Sequence, residues 1–184
     1  MGAQTGKQRS AFHLFGLRVS AHASAWMAML LLGAIWFAVA LILQTGWQTA
    51  AMTALAAVIL HWSSETVHCL GHAWAAAGVG YPMSGFRYWW MMAKTIYPKD
   101  EPTLPPEIHL RRALGGPLFS VGMTLAAGLL WWLFPAGNPA WNALLAFFFL
   151  DNLLFFTAQV LIPIPWADGG EIAKQLRALR SRSS

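Results

Sequence analysis

Long apolar runs separated by short polar breaks dominate this chain of 184 residues. The runs at about 23 to 44, 49 to 76, 113 to 134 and 139 to 163 each reach the roughly 20 residues a helix needs to cross a bilayer core. No Asp, Glu, Lys or Arg falls between Arg18 and Glu65, a gap that soluble domains do not sustain. Turn residues mark the breaks, with Thr45-Gly46 between the first two runs and Pro135-Ala136-Gly137-Asn138-Pro139 between the last two. The pattern predicts an all-α integral membrane protein with four transmembrane helices in a single domain over residues 1–184, flanked by tails 1–22 and 166–184.

The stretch from Gly78 to Arg112 breaks the pattern, being long, polar and proline-bearing. Within it Tyr81 to Tyr97 mixes aromatic and β-branched residues with Met and Gly, which predicts a short cytoplasmic β-hairpin between helices 2 and 3. Trp89 and Trp90 suit the headgroup region. Glu107 to Arg112 then leads into the third run, where Gly115, Gly116, Gly122 and Gly128 permit close helix packing.

Charge fixes an orientation. All twelve Lys and Arg fall in the N-terminal tail, the middle connection or the C-terminal tail, so the positive-inside rule places both termini and the middle connection in the cytoplasm. The expected location is the plasma (inner) membrane of a prokaryote. Topology accounts for the net charge of +5; the lipid bilayer is the partner it implies, and no nucleic acid is needed. The first apolar run starts too late and runs too long for a cleaved signal peptide. A single cysteine excludes an intramolecular disulfide, no long-period repeat is visible, and the Ser/Arg-rich end reads as a frayed tail.

Ionisable residues inside apolar helices are costly and usually face the bundle interior. His68 and His72 stand at i and i+4, which stacks both imidazoles on one helix face; they suit either a shared metal or two core histidines bonded to carbonyls. Asp168 precedes Gly169-Gly170 and a Glu-Ile-Ala-Lys helix start, the position of an N-cap. Asp151 and His61 fall at similar depth on helices running in the same direction and are placed to bond one another. Asn152 reads as interhelical glue, and apolar runs such as Ala146 to Leu150 as lipid-facing or packing residues.

Taken in order, these segments resemble the site-2 protease family of intramembrane zinc metalloproteases. Gly16 to His22 is similar to that family's Gly-x-x-x-x-x-His lead-in. His68-Cys69-Leu70-Gly71-His72 resembles its His-Glu-x-x-His helix, and Gly116-Pro117-Leu118-Phe119-Ser120 its Gly-Pro-Leu-x-Asn segment. Val160 to Gly170 aligns without a gap with its Asn-x-x-Pro-x-Pro-x-x-Asp-Gly-Gly. The likeness spans about residues 15 to 172. It implies a zinc ion held by His68, His72 and Asp168 on the fourth helix, with a water in the open position of a catalytic site. In an active member the Glu takes that water's proton and passes it to the leaving amine.

Three departures weigh against activity. Cys69 replaces the family Glu, and Ser120 and Val160 replace Asn residues that the family associates with substrate engagement. Cys is about two heavy atoms shorter than Glu, and a thiol in apolar surroundings holds its proton. Losing a general base commonly costs on the order of 10² to 10⁴ in rate. Glu65 is the other catalytic candidate, on the same helix face but roughly 7 to 8 Å along the axis from the histidine midpoint. Glu65 is either an unrelated buried polar contact or an acceptor for a hydrogen bond from the far nitrogen of His68.

The resemblance therefore implies a zinc-retaining, proteolytically impaired membrane protein. Its partners would be transmembrane helices of other membrane proteins, in a scaffold or accessory role within a larger membrane complex. An active intramembrane zinc metalloprotease is the competing expectation. Six histidines, two of them in or near the N-terminal tail, are too few for a membrane di-iron hydroxylase.

Overall fold

The computed structural model describes residues 11–134 and 137–183. Residues 1–10 of the predicted tail, Pro135 and Ala136 of the last break, and Ser184 at the Ser/Arg-rich end lie outside the described residues. In chain order the elements are β1 (Phe12–Leu14), β2 (Leu17–Ala21), α1 (Ala23–Ile42), α2 (Trp47–Gly78), β3 (Gly85–Trp89), β4 (Met92–Ile96), α3 (Pro106–Leu133), α4 (Pro139–Leu150) and α5 (Asp168–Ser183). A π-helical stretch (Asp151–Thr157) and a 3₁₀ turn (Ala158–Leu161) continue α4.

Among the described residues, three helical segments are long and apolar enough to cross a membrane: Ala23–Ile42, Pro106–Leu133 and Pro139–Leu161. Their outward residues are bare hydrocarbon, with Leu30, Ile42 and Trp132 each more than three-quarters exposed, as expected of a membrane protein. The fourth predicted run, α2, is longer still at 32 residues, but His61, Ser64, Glu65, His68 and His72 dilute its apolar character. All five are buried, so α2 turns its polar residues inward.

Several boundaries differ from the sequence expectation. Helix α3 begins at Pro106 rather than near 113, because proline suits the first helical turn and Glu107 favours its dipole there. The last apolar run is α-helical only to Leu150. The predicted C-terminal tail contains α5, which buries Ile172 and Gln175.

The all-α expectation is also corrected, since the predicted hairpin, β3 with β4, belongs to a four-stranded sheet in the order β1-β2-β3-β4. Phe15 and Gly16 turn the chain between β1 and β2 with φ of 50° and 80°, the paired positive values of a type I′ hairpin. Strand β2 then pairs parallel with β3, Val19 opposite Phe86 and Ser20 opposite Arg87, with α1 and α2 forming the crossover. Val19 and Phe86 are fully buried and pack with Leu17, Cys69, Ala76 and Met83. The sheet thus lies with one face on α2.

Two glycines set the approach of α2 and α3. A Cβ on Gly71 would overlap the Gly115 carbonyl, and one on Gly115 would overlap the Gly71 carbonyl. Gly122 faces open space, so it does not serve the packing expected of it; Gly128 meets only the Phe149 ring, at 3.1 Å.

Polar ties join α2 to the π-helical stretch. His61 Nδ1 meets Asp151 Oδ2 at 3.0 Å, as the sequence expectation had it. Asn152 Nδ2 donates to Ser64 Oγ at 3.0 Å, the interhelical bond predicted for it. His61 Nε2 donates to the Met91 carbonyl at 3.0 Å, so the same ring holds the hairpin tip. Removing one partner of a buried ion pair commonly costs about 3 to 5 kcal/mol. Asp151→Ala is therefore expected to lower thermal stability in detergent by a comparable amount, whereas Asp151→Leu combined with His61→Leu should recover most of it.

Candidate metal centre

The site is assembled from three elements. The i, i+4 spacing of α2 stacks His68 and His72, with ring centroids 4.8 Å apart. Asp168, the first residue of α5, reaches back to both. His68 Nε2 lies 3.0 Å from Asp168 Oδ2 and His72 Nε2 lies 3.3 Å from Asp168 Oδ1. The two Nε2 atoms are themselves 3.1 Å apart. Among the described residues these three alone form a group of metal-ligand type whose donor atoms all lie within 4.8 Å of one another.

Partners on the far side of each ring decide what this cluster presents. His72 Nδ1 donates to the Arg112 carbonyl at 2.9 Å, which leaves the Nε2 of a neutral ring as a lone pair. His68 Nδ1 pairs with Ser120 Oγ at 2.9 Å. Asp168 Oδ2 is buried and has no hydrogen-bond partner among the described residues, despite its closeness to His68. Burial would push the Asp168 carboxyl up, but the His72 and His68 imidazoles override it and hold it below the ordinary carboxylate range. Two imidazole nitrogens and an unsatisfied carboxylate oxygen crowd one point. That donor set fits a zinc ion, whose bonds of about 2.0 to 2.2 Å to His and Asp bring ligand atoms close together.

Helix α3 is shaped around the pair. A Cβ on Gly116 would overlap His72 Nε2 and crowd the His68 ring, so glycine is required here by the site rather than by general packing. Arg112 went unnoticed in the sequence, although it is buried. Its guanidinium stacks on Tyr97 at 3.4 Å and pairs with Glu101 at 2.9 Å, which fixes the carbonyl that orients His72. Burial pushes the Tyr97 phenol up, against the opposing pull of that guanidinium.

The remaining expected residues divide. Ser120 is beneath His68, where it orients the ring. Ser120→Ala is expected to weaken zinc binding by roughly 10- to 100-fold, the usual effect of removing such a partner, as measured by competition with a chelator. Cys69 lies outside the ligand group; its thiol points to Glu65 Oε1 at 3.8 Å, among the apolar residues under the sheet. The far nitrogen of His68 goes to Ser120 at 2.9 Å and not to Glu65, which leaves Glu65 with the other expected role, a separate buried polar contact. Glu65 instead accepts the Ala93 N–H of β4. Val160 sits in the 3₁₀ turn and does not line the cavity, while its neighbour Gln159 does. Asp168 stands at the start of α5, the helix start expected at Glu171-Ile172-Ala173-Lys174, and not on the fourth helix.

A cavity of about 990 Å³ opens onto this group, walled by β4 from Met92 to Ile96, by Tyr97 after it, and by Glu65, Cys69, His68, His72 and Asp168. Strand β4 is the sheet's outer strand, so the hairpin forms one side of the chamber and α5 the other.

Fold and site together define a mostly helical, membrane-type protein with a buried two-histidine, one-carboxylate centre beside a sheet-walled cavity. The architecture is similar to that of the site-2 protease from Methanocaldococcus jannaschii, with a TM-score of 0.57 and 20% identity over 94% of this chain and 73% of that one. At that identity the likeness establishes the fold. No protein-family model matches the chain, and no curated protein matches it.

Proposed function

We propose that this chain is a member of the site-2 protease family that holds zinc through His68, His72 and Asp168 but is impaired in proteolysis, serving as a transmembrane-helix-binding scaffold or accessory subunit of a membrane complex. One observation carries the reading: three ligand-type side chains converge, while the residue beside them, Cys69, supplies no carboxylate to the cavity. A zinc bound there would supply Lewis acidity and lower the pKa of a coordinated water. The chain's own residues orient His68 and His72, and the Cys69 thiol is too short to relay a proton.

On this reading α2 is the fourth crossing, residues 1–184 form one domain, and the termini and β-sheet lie in or toward the cytoplasm of a prokaryotic cell. The cavity beside β4 receives a helix from another membrane protein.

An active metalloprotease is favoured only by Glu65, whose carboxylate lines the same cavity. Its bond to Ala93 N–H commits it to holding the hairpin. The test is incubation of the unmodified protein in nanodiscs with a transmembrane-helix substrate carrying a photo-crosslinker. Crosslinking without cleavage is expected; chelator-sensitive cleavage overturns the reading.

A further inference from the structure

The outward face of the sheet has a composition that the metal centre does not explain. Residues directly opposite in a sheet share a face. Arg87 on β3 stands opposite Lys94 on β4 and Ser20 on β2, and Arg18 lies two residues before Ser20 on that same face. All three cations are exposed. The opposite face carries Val19 and Phe86, which are fully buried, so the sheet is apolar toward α2 and basic away from it.

Like charges directly opposite one another destabilise a strand pair. Here the register imposes that arrangement, and nothing neutralises it. Among the described residues no carboxylate comes within 4.0 Å of Arg18, Arg87 or Lys94, since the ion pairs present join other groups. Arg87 Nε donates to Ser20 Oγ at 3.2 Å, which lays the guanidinium across the sheet. Exposed Trp89 extends the same face toward the hairpin tip, beside exposed Trp90. Three unpaired cations next to tryptophans, on a sheet carried by apolar helices, match the charge and layering of an anionic lipid surface.

We propose that this face binds the phosphate headgroup of an anionic phospholipid through Arg18, Arg87 and Lys94. The lipid stands at the rim of the cavity, because Arg87 and Lys94 also line it. The site depends on the chain's being a membrane protein and is independent of zinc and of proteolysis.

The test is titration of the purified full chain in a neutral detergent with dihexanoyl phosphatidylglycerol, dihexanoyl phosphatidylcholine or inorganic phosphate, read by native mass spectrometry and thermal unfolding. Phosphatidylglycerol is expected to bind and stabilise, and the other two are not. The triple variant Arg18→Gln, Arg87→Gln, Lys94→Gln should weaken phosphatidylglycerol on the order of 100-fold, and Lys94→Gln alone about 5-fold. The charge-preserving pair Arg87→Lys, Lys94→Arg and the distant pair Lys99→Gln, Arg177→Gln should bind like the unmodified chain. If the triple variant does not fold, the single and charge-preserving variants decide. Equal binding of phosphatidylcholine, full competition by inorganic phosphate, or unchanged affinity on removing the cations overturns the proposal.

Discussion

Cys69→Glu is expected to raise cleavage of a transmembrane-helix substrate by about 10²- to 10⁴-fold over the unmodified chain, the usual contribution of a general base. Position 69 lines the cavity next to His68, His72 and Asp168, and a glutamate there would reach about two heavy atoms farther than the thiol. Cys69→Gln separates chemistry from bulk: it matches the size of Glu, takes no proton, and should leave cleavage at the unmodified level. The rates are to be compared in nanodiscs at saturating zinc. Equal rates for Cys69→Glu and Cys69→Gln would show that a missing base is not what limits this chain.

Gly116→Ala should have an effect as large, through a residue that does no chemistry. Its new methyl group would occupy the space of His72 Nε2 and press on the His68 ring. Either the rings swing away from Asp168 or α3 retreats from α2. The second option is opposed by the Gly71–Gly115 contact one position earlier. We therefore expect zinc affinity to fall on the order of 100-fold or more, beyond the effect of losing a single orienting hydrogen bond. Stability should fall by about 1 to 3 kcal/mol, the cost of overpacking a close contact. Isothermal titration with zinc, together with thermal unfolding, checks both; unchanged affinity would mean that the histidines do not converge as described.

What the sequence revealed followed from short-range periodicity. The i, i+4 pair, the long apolar runs and the β3–β4 hairpin are each contained in one local stretch, so spacing alone displays them. The pairing of His61 with Asp151 was visible because two lone ionisable residues at similar depth have few alternatives. The β1–β2 hairpin was missed because its strands are three and five residues long, and β2 pairs with β3 only after the chain has passed through α1 and α2. Arg112 was missed for a different reason: its backbone carbonyl orients His72, and a carbonyl has no sequence signature. Glu65 was placed on the correct helix face, but its partner is a strand amide brought to it by the hairpin, which no helix projection displays. The lining of the cavity by Gln159 rather than Val160 depends on the π and 3₁₀ turns after Leu150, which rotate the side chains away from the α-helical phase.

Zinc content is the most direct test of the central claim that three ligands survive without their base. The full chain and a His68→Ala, His72→Ala double variant should be purified in parallel and their zinc measured by inductively coupled plasma mass spectrometry. Near-stoichiometric zinc in the unmodified chain, lost in the double variant, is the expected result. Equal, near-zero zinc in both after incubation with the metal would contradict the account.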